Sequence, residues 1–365
     1  MKIDDASYVL ESTHRASACW WRVQGDFDVA EMVAEAETAW HDRVIPRRWY
    51  STNHLLGPGY FIWIIPLCSN MTSIGIVADE TAHPVRNRNS MEKALTWLAK
   101  HEPSLFEFIK DEKPLDFLVL KNFAYTTTKA FSAERWCCIG EAAAFTDPLY
   151  SMGTDLIAMG NRITVHLIEL DAANALTEET VALYNQLYVK VLEVMTALFS
   201  DMYPALGNDD VAILKIMWDI SCYWAFFSQL SIQDFLYQEA LLSPLFELAS
   251  RLQTANAQVQ DALRTAARTN ALKTGFYQFG GVSSVTNLRA KVTDRKSIED
   301  IAANIDFLEQ FAATLCRFVA TDERAPLSST HNDGTAAEMA TLLEKLTSYL
   351  TPVERVSMVP ERVAV

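Results

Sequence analysis

Ile139-Gly140-Glu141-Ala142-Ala143-Ala144-Phe145-Thr146-Asp147-Pro148-Leu149-Tyr150-Ser151-Met152-Gly153 puts glycine, proline and small residues where a backbone must pass close to a ligand. The stretch reads as a strand, a turn and a helix start. Trp136-Cys137-Cys138-Ile139 is a short apolar run that suits a buried strand, and Gly140 ends it without a Cβ. Beyond Pro148 and Gly153, Thr154 or Asp155 can cap a helix whose apolar positions Leu156, Ile157, Met159, Ile163, Leu167 and Ile168 recur at helical spacing. A helix N-terminus after a glycine turn offers N–H groups to an anion, and Gly153 is expected to take positive φ there.

Toward the N-terminus, Ala18 to Val23, Gly59 to Leu67, Ser73 to Ala78 and Trp136 to Gly140 are rich in β-branched and aromatic residues and read as strands. Ser90 to Lys100 reads as a helix with Met91, Ala94, Leu95 and Leu98 on one face, ended by Pro103. After Gly153 the pattern is helical. Thr177 caps a run striped by Tyr184, Leu187, Tyr188, Val191, Met195 and Leu198, and later helices are expected over 209–230, 244–268, 298–320 and 335–350. Pro326 to Gly334 reads as a linker. The predicted class is α+β, with an antiparallel sheet in a part spanning 1–153 and a mostly helical part spanning 154–365.

With 365 residues, half of them hydrophobic, the chain can bury a sizeable core. A net charge of −15 argues against nucleic acid and against anionic membranes. Tyr60 to Leu67, the longest apolar run, is far below the roughly 18 residues of a membrane span. Met1-Lys2-Ile3-Asp4-Asp5 does not look like a signal peptide, so a cytoplasmic location is expected. The six cysteines lie mostly in apolar runs without C-x-x-C spacing and read as reduced core residues. The seven histidines show no metal-ligand spacing, so no metal is expected.

Two motifs point to a function: Phe61-x-Trp63-x-Ile65-Pro66, and Phe145-x-x-Pro148-x-x-Ser151-x-Gly153. Together they resemble the flavin-dependent halogenases, a branch of the FAD monooxygenases, whose corresponding elements are W-x-W-x-I-P and F-x-x-P-x-x-S-x-G. Trp20-Trp21-Arg22-Val23, Ser51-Thr52-Asn53-His54 and Thr72-Ser73-Ile74-Gly75 follow in the order that the family shows. The resemblance covers about residues 15 to 240.

The resemblance implies site residues. Gly140, Glu141, Asp147, Pro148, Gly153 and Trp63 would lie against FAD, with Glu141 standing for the family's aspartate at the ribityl chain. Glu141 reads equally as a solvated turn residue, and Asp147 as a turn or capping residue. Ser151, Met152 and Gly153 would form a nest of N–H donors for a halide. Phe61, Trp63, Pro66 and Tyr150 would face the substrate. Tyr150 replaces a glutamate of tryptophan halogenases, which argues against free tryptophan, although simple packing also accounts for it. Trp218, Tyr223, Trp224, Phe226 and Phe227 form an aromatic cluster read foremost as core.

The implied chemistry uses reduced flavin from a reductase, oxygen and a halide to make hypohalous acid, which reaches an electron-rich phenol or pyrrole; the flavin carries the reaction. A flavin hydroxylase is the competing enzyme reading. The family also opens with a G-x-G-x-x-G turn that holds the FAD pyrophosphate. These 365 residues contain no such turn: Gly57-Pro58-Gly59 lacks the third glycine, and Gly280-Gly281 has no strand-turn-helix setting. The family's catalytic lysine belongs to that part too, so no catalytic residue is assigned. The expectation is a split enzyme whose dinucleotide half sits on a separate polypeptide, a truncated frame, or a non-catalytic remnant or partner subunit.

Overall fold

The computed structural model describes residues 8–9, 14–42, 44, 47–68, 70–269, 288–289 and 291–320. The expected linker at 326–334 and helix at 335–350 lie outside these residues. Five strands form an antiparallel sheet: β1 (Ala16–Gln24), β2 (Asn53–Gly57), β3 (Tyr60–Leu67), β4 (Met71–Asp79) and β5 (Leu118–Leu120), in the order β2-β3-β4-β1-β5. Three of them fall on runs legible in the sequence; Asn53–Gly57 and Leu118–Leu120 were not anticipated. Trp136–Cys137 pairs with Phe131–Ser132 in a separate hairpin and is only two residues long.

Period-two alternation gives the sheet two unlike faces. Cys19, Trp21, Val23, Ile62, Ile64, Ile74 and Ile76 point to one side, where α1 (Met91–His101) and α2 (Pro103–Ile109) cover them. Ser90 caps α1 through its side chain, and Pro103 opens α2 at its first position, where a missing N–H costs nothing. Ala16, Ala18, Trp20, Phe61, Trp63 and Val77 point to the other side, toward the helical layer.

That layer comprises α3 (Gly153–Ala172), α4 (Glu178–Ala197), α5 (Asp209–Cys222), α6 (Glu239–Thr269) and α7 (Ile298–Ala320). The fold is therefore α+β with the helices following the sheet. Thr177 caps α4, and its predicted stripe is wholly buried. A π-helical turn at Tyr223–Phe227 carries α5 into Ser228–Ile232, and α6 starts five residues before Pro244. Val211–Ile232 is long and apolar enough to cross a membrane, but 72% of its apolar window is buried inside the fold, as in a core helix. Trp218, Phe226 and Phe227 are buried in the core; Tyr223 and Trp224 are half-buried.

One glycine shapes the helix-facing side of the sheet. Gly75 stands across from both Trp20 and Trp63 in the strand register, and the Trp63 indole lies flat over it. A Cβ there would stand 2.1 Å from Trp63 Cζ2. Gly75→Ala should thus evict the indole and cost about 1–3 kcal/mol by overpacking. Thermal unfolding checks this, and the penalty should shrink in a Trp63→Ala background; an equal loss in both backgrounds would contradict the account.

Candidate functional site

The two sequence motifs, more than seventy residues apart, meet at one cavity of about 510 Å³. Ala18, Trp20 and Trp63 of the sheet form one wall, and Leu120, Lys121, Asn122, Phe123 and Tyr125 form the side after β5. Glu141, Phe145 and Pro148 close it from the glycine-proline segment. Trp20 and Trp63 stand 6.3 Å apart with their planes tilted by 46°, and the Trp63 indole N–H donates to Ser73 Oγ at 3.1 Å. The wall is aromatic, with one cation and one carboxylate among its lining residues.

Gly140 begins the segment at φ +54, where a Cβ would stand 2.7 Å from Ile157 Cγ1, so only glycine fits. The Glu141 carbonyl accepts from the Tyr125 hydroxyl, and its exposed side chain borders the cavity. Phe145 pairs with Tyr125 in a backbone bridge, which fixes the segment against the chain beyond β5.

Asp147 and Tyr150 take the turn and packing roles that the sequence also allowed, rather than facing the cavity. The Asp147 carboxylate is fully buried and turned from the cavity: Oδ2 stands 2.5 Å from His14 Nε2 and accepts from the Tyr203 hydroxyl at 2.5 Å, while Oδ1 accepts from the Leu149 N–H at 2.8 Å. The Tyr150 phenol runs into the helical layer and donates to Asp219 Oδ2 at 3.0 Å. Asp219 also accepts from Lys215 Nζ at 2.6 Å and from Gln260 Nε2 at 3.1 Å, and Lys215 donates to the Leu198 carbonyl at 2.5 Å. Burial, and then the neighbouring carboxylates, push the Tyr150 and Tyr203 hydroxyls well above the ordinary phenol range, so both remain protonated donors. Burial raises the Asp219 carboxyl, and the Lys215 charge opposes that.

Between these anchors the backbone is strained. Tyr150 and Ser151 have φ of 70 and 59, two successive non-glycine residues in the left-handed region. Each such residue costs of order 1–3 kcal/mol unless its surroundings hold it. The positive φ expected at Gly153 is not found: Gly153 starts α3, and a Cβ there would meet open space. The cap expected from Thr154 or Asp155 is also displaced, because the helix begins at Gly153 with Met152 in the cap position, and Thr154 Oγ1 donates to the Ser151 carbonyl at 2.9 Å. The Ser151 N–H is bonded to the Pro148 carbonyl at 3.1 Å.

Of the residues singled out in the sequence, the cavity brings together Trp63, Glu141 and Pro148. Phe61 is fully buried beside Tyr203 and His54, and Pro66 pairs with Thr72 near the far end of β3, so neither lines it. Gly140, Asp147, Tyr150, Ser151, Met152 and Gly153 do not line it. Sequence reasoning missed His14, Tyr203, Lys215 and Asp219. A lysine and an aspartate four apart in an otherwise apolar helix were the available signal for the last two.

No protein-family profile matches the chain. It is 33% identical over 180 residues to the flavin-dependent halogenase chlA of Dictyostelium discoideum, a match covering 48% of this chain and 30% of that protein. It is 25% identical over 139 residues to the monodechloroaminopyrrolnitrin halogenase PrnC of Pseudomonas fluorescens, covering 36% and 24%. The solved halogenase PltM shares the fold with a TM-score of 0.50 at 14% identity, over 93% of this chain and 59% of that one. The aligned stretches thus amount to less than a third of either curated relative. Over about half of its length the chain is thus similar to flavin-dependent halogenases.

The buried carboxylate at 147 gives a stability prediction. Tyr203→Phe should cost about 1–3 kcal/mol, and Asp147→Ala more, because it takes a bond from His14, the Leu149 N–H and Tyr203 at once. Urea midpoints at unchanged slope measure both; two negligible shifts would mean that Asp147 does not grip its neighbours.

Proposed function

We propose that this chain, as a flavin-dependent halogenase relative, forms the flavin-proximal and substrate-proximal part of an enzyme that halogenates an electron-rich phenol or pyrrole. One observation carries the reading: the tryptophan box and the glycine-proline segment converge on a single aromatic-walled cavity. Its volume and flat indole wall suit a planar ring system, which is the test that FAD must pass here. Bound FAD would supply the oxidation of halide by oxygen. Trp63 and Trp20 would orient an aromatic ring and exclude water, Glu141 would take a hydroxyl of the cofactor's chain, and Gly140 and Pro148 would bring the backbone close. Ser151, Met152 and Gly153 would face the halide at the start of α3. Reduced flavin would come from a reductase.

The pyrophosphate-holding turn would be supplied by a second polypeptide unit. The outer side of α3 supports this. A helix apolar on both sides normally has both covered, yet Ile157, Val165 and Ile168 are 42%, 48% and 61% exposed on the side away from the core, and exposed Ile139 lies next to Gly160 of the same helix. PltM extends well beyond the part that this chain matches.

Two outcomes are expected. The chain purified alone should leave gel filtration colourless, because these residues contain no glycine-rich phosphate turn; a stoichiometric yellow complex would count against a second unit. Joined to a halogenase dinucleotide-binding half, with reduced flavin, oxygen and bromide, it should brominate members of a phenol and pyrrole panel. Trp63→Ala should cut that product about tenfold or more. Hydroxylated product alone would replace halogenation by hydroxylation.

A further inference from the structure

The Leu149–Met152 turn is clipped between two buried carboxylates that approach from different parts of the chain. Asp147 takes the Leu149 N–H on one side; on the other, Asp219 takes the Tyr150 hydroxyl. Asp219 is itself fixed by Lys215, one turn earlier on α5, and by Gln260 on α6, and the Lys215 and Asp219 side chains are each only 1% exposed. Glycine is the ordinary solution where a backbone needs φ near 70. Here the position carries a tyrosine, whose backbone is disfavoured there but whose phenol reaches the anchor. The arrangement makes sense if the anchor matters more than the local strain, since a strained turn persists only where its surroundings over-determine it. The ion pair behind it is internally neutral, so an anion near Ser151 would meet a compensated carboxylate.

We propose that Asp219 and Lys215 are positioning residues: through the Tyr150 phenol they hold the left-handed Tyr150–Ser151 turn, and so set the orientation of Ser151, Met152 and Gly153 at the start of α3. The turn-holding part stands on the geometry alone. Its consequence for halide rests on the function proposed above.

Two measurements separate these. In the full chain, hydrogen exchange of amides 149–156 should speed up about tenfold in Tyr150→Phe, which removes one oxygen, while the sheet and α4 keep wild-type protection. In the assembled enzyme, Asp219→Asn should raise the bromide KM about tenfold while kcat changes less than about twofold. Lys215→Met should act in the same direction; where it fails to fold, Tyr150→Phe decides. Unchanged exchange in Tyr150→Phe overturns the turn-holding role. Unchanged bromide KM in an active Asp219→Asn enzyme overturns the link to halide. A wild-type assembly that makes no halogenated product sinks the proposed function, and the exchange data then decide the positioning role by themselves.

Discussion

The Asp147 carboxylate is the constraint on which the rest of the arrangement depends. Its two oxygens reach three separate parts of the chain: His14 just before β1, Leu149 in its own turn, and Tyr203 in the helical connection. A buried carboxylate must have its lone pairs met, because nothing in the interior replaces water. Satisfying it therefore fixes the start of the sheet, the glycine-proline segment and the helical layer relative to one another. Two of those three bodies supply walls of the cavity, and the Tyr125–Phe145 bridge adds the chain beyond β5 as another wall.

Asp219 plays a similar part with a different balance. A buried ion pair adds little net stability, since desolvation offsets the attraction, yet losing either partner strands a charge. What such a pair contributes is geometry. Lys215 spans from Asp219 to the Leu198 carbonyl, and Gln260 reaches from α6, so the acceptor for Tyr150 is held by groups on three helical segments. An acidic chain with a net charge of −15 keeps most of its carboxylates in water; among the described residues, Asp147 and Asp219 are the buried ones.

Local signals in the sequence were legible. Thr177 was readable as a cap because a side-chain oxygen three residues before an N–H acts within one turn. Trp63 was legible through the motif that it shares with Phe61, Ile65 and Pro66, although that motif could not say that Phe61 would be covered by Tyr203. The turn role of Asp147 and the packing of Tyr150 were among the readings that the sequence allowed, but their anchors were not legible, because those partners lie 56 to 133 residues away and no local pattern encodes such pairings. Positive φ was assigned to Gly153 because glycine tolerates it, whereas the strain falls on Tyr150 and Ser151, where distant bonds outweigh local preference.

The sheet explains why the cavity sits where it does. Its α1-facing side is closed, with Arg88 fully buried and donating to the carbonyls of Ser17, Ala78 and His83, so strands β1 and β4 are tied together from that side. Rigidity on the covered side leaves the opposite side free to carry large, imperfectly covered aromatics. Gly75 lets the Trp63 indole lie flat without bending the sheet, and the short β5 exposes the edge of that wall. A flat aromatic surface backed by a stiff sheet, and faced by a turn held from two sides, keeps its geometry when a ring binds. Preorganisation of that kind reduces the ordering that a ligand would otherwise have to impose.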